Sequence, residues 1–142
     1  MAATTATFRS HIYQTELHKL NPGLAVTEIA VPGLVPAIED NDFSRAEAVV
    51  RACAPGFANC DSLILGCTHY PFLRPHLREF LGNRRIEIID GSMGTAKELK
   101  RRLGEKNLLH AEKREQKIIF ENSMEKQEMI DLSWQLLRLP ID

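Results

Sequence analysis

The sequence predicts an α/β fold with a mainly parallel sheet flanked by helices. Short apolar stretches, "LAVTEIAVP" (24–32), "DSLILGC" (61–67), "RIEIID" (85–90) and "KIIFEN" (117–122), alternate with segments of helical spacing. The second stretch has no polar alternation at its centre, which marks a strand buried on both faces. Breakers such as "NPG" (21–23) and "PG" (55–56) separate the elements.

Taken in order, Ile12, Tyr13, Leu17 and Leu20 predict a single helix over 8–20, closed by Asn21-Pro22-Gly23. Residues 24–32 alternate as a strand that Pro32 ends, and "LVPAIED" (34–40) makes a short helical turn. Phe43, Ala46, Val49, Val50 and Cys53 recur at helical spacing up to Pro55. After the strand at 61–67, "FLRPHLREFLG" (72–82) is a helix with Leu73, Leu77, Phe80 and Leu81 inward and Gly82 as its C-terminal cap. Pro71 suits a first helical position, and Pro75 requires that the regular helix start near it. The strand 85–90 leads into a helix over 92–104 ending on Gly104. A charged loop and a last strand, 117–122, follow. Asn122 and Glu125 fit a capping pattern for a helix with Ile130, Trp134 and Leu137 on one face.

A chain of 142 residues is long enough for a buried core. Its formal net charge of −1 gives no electrostatic reason to expect nucleic acid as a partner. Lys97, Lys100, Arg101 and Arg102 read as the solvated face and cationic last turn of a helix. No apolar run approaches the roughly 18–20 residues of a membrane span, and "MAATTATFRS" lacks a hydrophobic signal core, so no membrane association and a cytoplasmic location are expected. Three cysteines argue against a disulfide framework. Without a Cys-x-x-Cys pair or clustered histidines, no metal site is expected.

The stretch that carries chemistry is "GCTHYP" (66–71), at the carboxyl end of a buried strand, where ligand crevices of open α/β sheets lie. Gly66 permits a sharp turn or close approach of a ligand. Cys67, Thr68 and His69 then occupy the loop entering a helix N-terminus. Free N–H groups and the positive end of the dipole favour a carboxylate there and lower a thiol toward its reactive thiolate. His69, two residues from Cys67, is placed to give or take a proton. A buried structural cysteine beside a surface histidine is the alternative reading of the same residues.

The strings "LILGCTHYPFLRP" and "IEIIDGSMGTAKEL" resemble the second catalytic segment of bacterial glutamate racemases, of the aspartate/glutamate racemase family. "TTATFRSHIYQTELHKLNP", "VPGLVPAIED" and "KIIFENSMEKQEMIDLSWQLL" are similar to that family's flanking segments, in the same order. Aspartate racemases typically carry Glu where this chain has His69, so the resemblance points to the glutamate enzyme. It implies interconversion of L- and D-glutamate without a cofactor, by two thiols on opposite faces of the α-carbon, to supply D-glutamate for peptidoglycan. By the same resemblance Cys67 is one of the pair, the one that deprotonates L-glutamate. Thr68 and Thr7 would contact the substrate, His69 would assist proton transfer at Cys67, and Glu39 would orient His69. Helix capping is the plainer role for Thr4 and Thr7, and an exposed carboxylate with no role the plainer reading of Glu39.

The family's Asp-Ser, Pro-Tyr-Gly and Cys-Asn-Thr segments have no counterpart here, and neither Cys53 nor Cys60 stands in a matching context. The chain therefore resembles the C-terminal half of the family. Residues 1–91 correspond mostly to its second catalytic lobe, and 92–142 to elements that would return to the first. The fold is thus expected to be incomplete relative to the family, and the chain weak or inactive alone. Self-association or pairing with an N-terminal half is expected, since missing strands would leave apolar surface uncovered. A non-catalytic glutamate-binding or regulatory half-domain is the alternative function.

Overall fold

In the computed structural model, which describes residues 1–57, 59–110 and 117–138, four strands pair in parallel. They are β1 (Ala2–Ala3), β2 (Ile29–Ala30), β3 (Ser62–Leu65) and β4 (Glu87–Asp90), in the spatial order β2-β1-β3-β4. The register sets Ala2 beside Ile29 and Leu65, and Leu63 beside Ile88. From β1 the chain steps to one side to make β2, then crosses to the other side to make β3. The point where the winding reverses lies between the carboxyl ends of β1 and β3, where open α/β sheets hold their ligands.

The described residues divide into two compact units, one over Met1–Asp90 and one beginning at Gly91. The first holds the sheet and the core: Ala3, Ile38, Leu63, Tyr70 and Leu73 are all almost fully buried. On β3, Leu63 and Leu65 are buried but Ile64 is only half so. The strand is therefore not covered equally on both faces.

The helices follow the apolar spacing, with instructive departures. The single helix expected over 8–20 is two, α1 (Thr5–Arg9) and α2 (Ile12–Leu20), because His11 between them adopts a left-handed φ of 51°. On α2, Ile12 and Leu20 are exposed. The strand expected over 24–32 shrinks to Ile29–Ala30, and β1 takes a position beside it that the sequence did not suggest.

Helix α3 (Leu34–Glu39) buries Leu34, Ala37 and Ile38. It starts at Gly33, whose φ of 82° suits only a residue without a Cβ. Helix α4 (Phe43–Ala52), capped by the Asp42 side chain, buries Ala46 and Val50, and Cys53 closes it. A 3₁₀ turn, Ala54–Phe57, carries Phe57 into the core.

The helix expected over 72–82 divides near Pro75 into a 3₁₀ turn, Tyr70–Leu73, and α5 (Arg74–Leu81). Proline is tolerated in the first turn of α5 because that N–H has no helical partner. Leu77 and Leu81 are buried, and Gly82 ends the helix at φ 57°.

In the second unit α6 (Ser92–Glu105) runs through Gly104, and Asn107 takes the left-handed position instead. Arg101 pairs with Glu98 and Glu105, and Arg102 with Glu98, so these cations are matched on the helix surface. Residues 111–116 of the charged loop lie outside the described residues. The strand expected over 117–122 does not form. Among the described residues nothing pairs with it, and Ile118 and Ile119 are exposed. Helix α7 (Gln127–Leu137) begins after Lys126, which makes no side-chain cap. Asn122 instead accepts from the N–H groups of Met124 and Lys126, and Glu125 sits at φ 53°, so the pair shapes a turn before the helix. Trp134 meets Phe120 edge to face at 4.8 Å.

Candidate active site

Gly66 leaves β3 in tight surroundings: an added Cβ would stand 3.0 Å from the Ala3 Cβ. Its N–H donates to the Ala2 carbonyl at 2.8 Å, extending the pairing of β1 and β3 by one bond. The next three residues form the loop into the 3₁₀ turn. That turn closes through Tyr70 N–H to the Cys67 carbonyl and Phe72 N–H to the His69 carbonyl, both at 3.2 Å. Among the described residues no carbonyl receives the N–H of Thr68 or His69.

His69 is the centre of the polar array. Its Nε2 lies 3.1 Å from Glu39 Oε1, contributed from the end of α3 thirty residues away in sequence. A carboxylate only accepts, so Nε2 carries the proton and a neutral ring presents the Nδ1 lone pair on its other side. Nδ1 stands 3.9 Å from Cys67 Sγ and 3.4 Å from Thr68 Oγ1. The order Glu39, His69, Cys67 therefore lets imidazole take a proton from the thiol, or return one, with Glu39 holding the tautomer. Cys67 is half-buried and Thr68 exposed, so the array opens to the surface.

Thr7 approaches from α1, the helix that follows β1. Its hydroxyl donates to the Gly66 carbonyl at 3.4 Å and lies 3.0 Å from Thr4 Oγ1. The capping role falls to Thr4, whose side chain accepts from Thr7 N–H at 3.3 Å. The structure thus brings Cys67, Thr68, His69 and Glu39 into one hydrogen-bonded group and sets Thr7 beside the glycine that precedes them. Among the described residues no group of three metal-ligating side chains is present, and no helix is long and apolar enough to cross a membrane.

Two neighbours of this array were not singled out in the sequence. Tyr70 is almost fully buried, and its hydroxyl donates to the Val31 carbonyl at 3.3 Å. Arg74, at the start of α5, donates to the Ile88 carbonyl at 2.9 Å and pairs with Asp90 at the end of β4. Neither had a distinguishing sequence signal: Arg74 stands among His76, Arg78 and Glu79 in an amphipathic stretch, and Tyr70 directly follows His69 in the motif. A separate cavity of about 290 Å³ lies at the amino end of the strands, against Met1, Ile29, Phe57 and Cys60. No candidate site residue lines it.

Glutamate racemase of Clostridium perfringens is 33% identical over 141 residues, 96% of this chain and 54% of that protein. The enzyme of Clostridium botulinum is 38% identical over 119 residues, 80% of this chain and 46% of that protein. A solved glutamate racemase from Francisella tularensis, in complex with D-glutamate, superposes with a TM-score of 0.76 at 28% identity, covering 96% of this chain and 52% of that one. The chain is a relative of the glutamate racemases. The isoform RacE1 of Bacillus anthracis, at TM-score 0.67 and 33% identity, covers 78% of this chain and 42% of that structure. The match is to the C-terminal half of the racemases, and the chain spans about half the length of the curated relatives it matches. No protein-family model matches.

Proposed function

We propose that this chain supplies one acid–base face of a glutamate racemase site. The observation that carries this reading is the Glu39–His69–Cys67 array at the carboxyl end of β3, beside the reversal in sheet order. Removing the α-proton of an amino acid is demanding, so the site has to orient the substrate and receive carbanion charge. In this reading Cys67 is the acid–base group, abstracting the proton from L-glutamate as thiolate and returning it as thiol. His69 receives the thiol proton through Nδ1 when the thiolate forms, and Glu39 keeps Nε2 protonated. Thr68 and His69 offer backbone N–H groups to a substrate carboxylate, and the Thr68 and Thr7 hydroxyls line the approach. The substrate is L- or D-glutamate, no cofactor takes part, and the location is cytoplasmic, where D-glutamate feeds peptidoglycan synthesis.

Racemisation needs an acid on the opposite face of the α-carbon. A single thiol returns its proton to the side from which it came and regenerates the same enantiomer. The chain alone is therefore expected to form little or no D-glutamate, and an N-terminal racemase half is the partner that would supply the second thiol. The test is chiral detection of D-glutamate formed from L-glutamate by the purified chain. It is repeated with a separately produced N-terminal portion of a relative, and with Cys67→Ser. Activity that appears on mixing and disappears in Cys67→Ser supports the proposal; robust turnover by the chain alone refutes the requirement for a second half. Calorimetry with both enantiomers addresses the alternative, a glutamate-binding half-domain without chemistry. Binding without turnover in the mixture favours that alternative.

A further inference from the structure

We infer that Tyr70 is a positioning residue for His69, its hydroxyl anchoring the loop after β3 to the segment that leads into α3. Adjacent residues of this loop reach the two ends of that segment. The Tyr70 hydroxyl donates to the Val31 carbonyl just before α3, and His69 Nε2 meets Glu39 at its far end. Between these points α3 is fixed by the buried side chains of Leu34, Ala37 and Ile38. The Tyr70 ring is itself 1% exposed, and its N–H donates to the Cys67 carbonyl. One residue thus ties the cysteine turn at its backbone and the α3 lead at its side-chain tip.

Glu39 is about half exposed and the His69 side chain about one-third exposed, so solvent competes for their bond. Two partly solvated side chains hold a fixed separation only if their backbones do. The Tyr70–Val31 bond is buried and supplies that constraint. Burial first, then the nearby Cys67 and Cys53 thiols, push the phenol's pKa above its usual range, so the hydroxyl stays a donor across the working pH. The groups facing the His69 ring are the Glu39 carboxylate from α3 and, from its own loop, the Cys67 thiol and Thr68 hydroxyl.

This inference rests on His69 acting between Glu39 and Cys67, and not on the identity of the substrate. Its test therefore reads the imidazole and not turnover. The full chain, labelled with ¹⁵N-histidine, is compared as wild type, Tyr70→Phe, Glu39→Gln and the double variant. Tyr70→Phe is expected to move the His69 Nε2 resonance in the direction seen for Glu39→Gln, and the double variant to move it no further than Glu39→Gln alone. A wild-type Nε2 resonance in folded Tyr70→Phe, or shifts that simply add in the double variant, would overturn the inference. Leu73→Met, equally buried in the same turn but without a hydroxyl to lose, separates this effect from packing. A Leu73→Met shift equal to that of Tyr70→Phe also overturns it. Should Tyr70→Phe not fold, 3-fluorotyrosine at position 70 keeps the ring and alters the donor strength. An unmoved Nε2 resonance there counts against the inference and a moved one for it.

Discussion

Asp90→Asn isolates the charge in the pair that locks α5 to the end of β4. The Arg74 and Asp90 side chains are 12% and 9% exposed, so neither ion is compensated by bulk water. Arg74 also donates to the Ile88 carbonyl at 2.9 Å, while its Nε is buried with no partner among the described residues. The guanidinium is thus already one bond short and depends on Asp90 for charge compensation. An amide keeps the shape and an acceptor oxygen but removes the negative charge, leaving a desolvated cation. Breaking a buried pair from one side costs roughly 3–5 kcal/mol. The retained acceptor places Asp90→Asn near the lower end, about 3 kcal/mol, or roughly a hundredfold or more in the ratio of folded to unfolded chain. With a urea m-value of about 1–3 kcal/mol/M, the midpoint should fall by about 1–3 M at unchanged slope. The matched control is Asp40→Asn, which breaks the Arg45–Asp40 pair at 49% and 63% exposure and should cost about 0–1 kcal/mol. Urea titrations followed by circular dichroism measure both. Equal midpoints for the two variants would show that the Arg74 guanidinium is not desolvated and refute the reasoning.

Leu63→Ala should lower stability by about 2–5 kcal/mol, because Leu63 is 1% exposed on β3, the strand that carries the site; Ile89→Ala on β4, at 39% exposure, should cost less than half as much in the same titration. Acid should loosen α6 specifically. Hydrogen bonds from Arg101 first, then Arg102, hold the Glu98 carboxyl at about 2 against an ordinary 4.5. The folded value is depressed, so the stabilisation is complete above about 4.5 and is lost as pH falls through 2. Protection of the α6 amides, taken relative to their intrinsic exchange rate at each pH, should therefore fall over that window, less so in Glu98→Gln and at high salt.

The site was more legible than the elements that frame it. "GCTHYP" carries its position in its own residues: an apolar run ending on a glycine puts the cysteine at a strand end, and two prolines set the turn that follows. The break at Pro75 and the cap at Gly82 followed from local chemistry for the same reason. What could not be read locally was pairing. Ala2–Ala3 has no strand signature and becomes β1 only because β2 and β3 offer hydrogen bonds on both sides. Residues 117–122 have the signature and no strand forms, because a ladder needs a neighbour. The 30-residue link from Glu39 to His69 was expected only through family resemblance. The Tyr70–Val31 bond, between residues 39 apart, had no sequence signal.

These failures and the function share a physical origin in the winding of the sheet. β1 lies between β2 and β3, so the loops after β1 and β3 leave the sheet side by side while their chains go to opposite flanks. Thr7 reaches Gly66 across that gap, and the segment after β2 returns Glu39 to His69. Three residues from three strand ends therefore converge without being near in sequence, on a scaffold whose strands are two to four residues long. Strands this short hold few ladder bonds, and the convergence cannot rest on the sheet alone. It rests equally on the buried contacts of α3 and the 3₁₀ turn, Ile38, Tyr70 and Leu73. Loss of packing there should disturb the candidate proton path before it unfolds the chain, because the path spans elements while global stability is shared across the whole core.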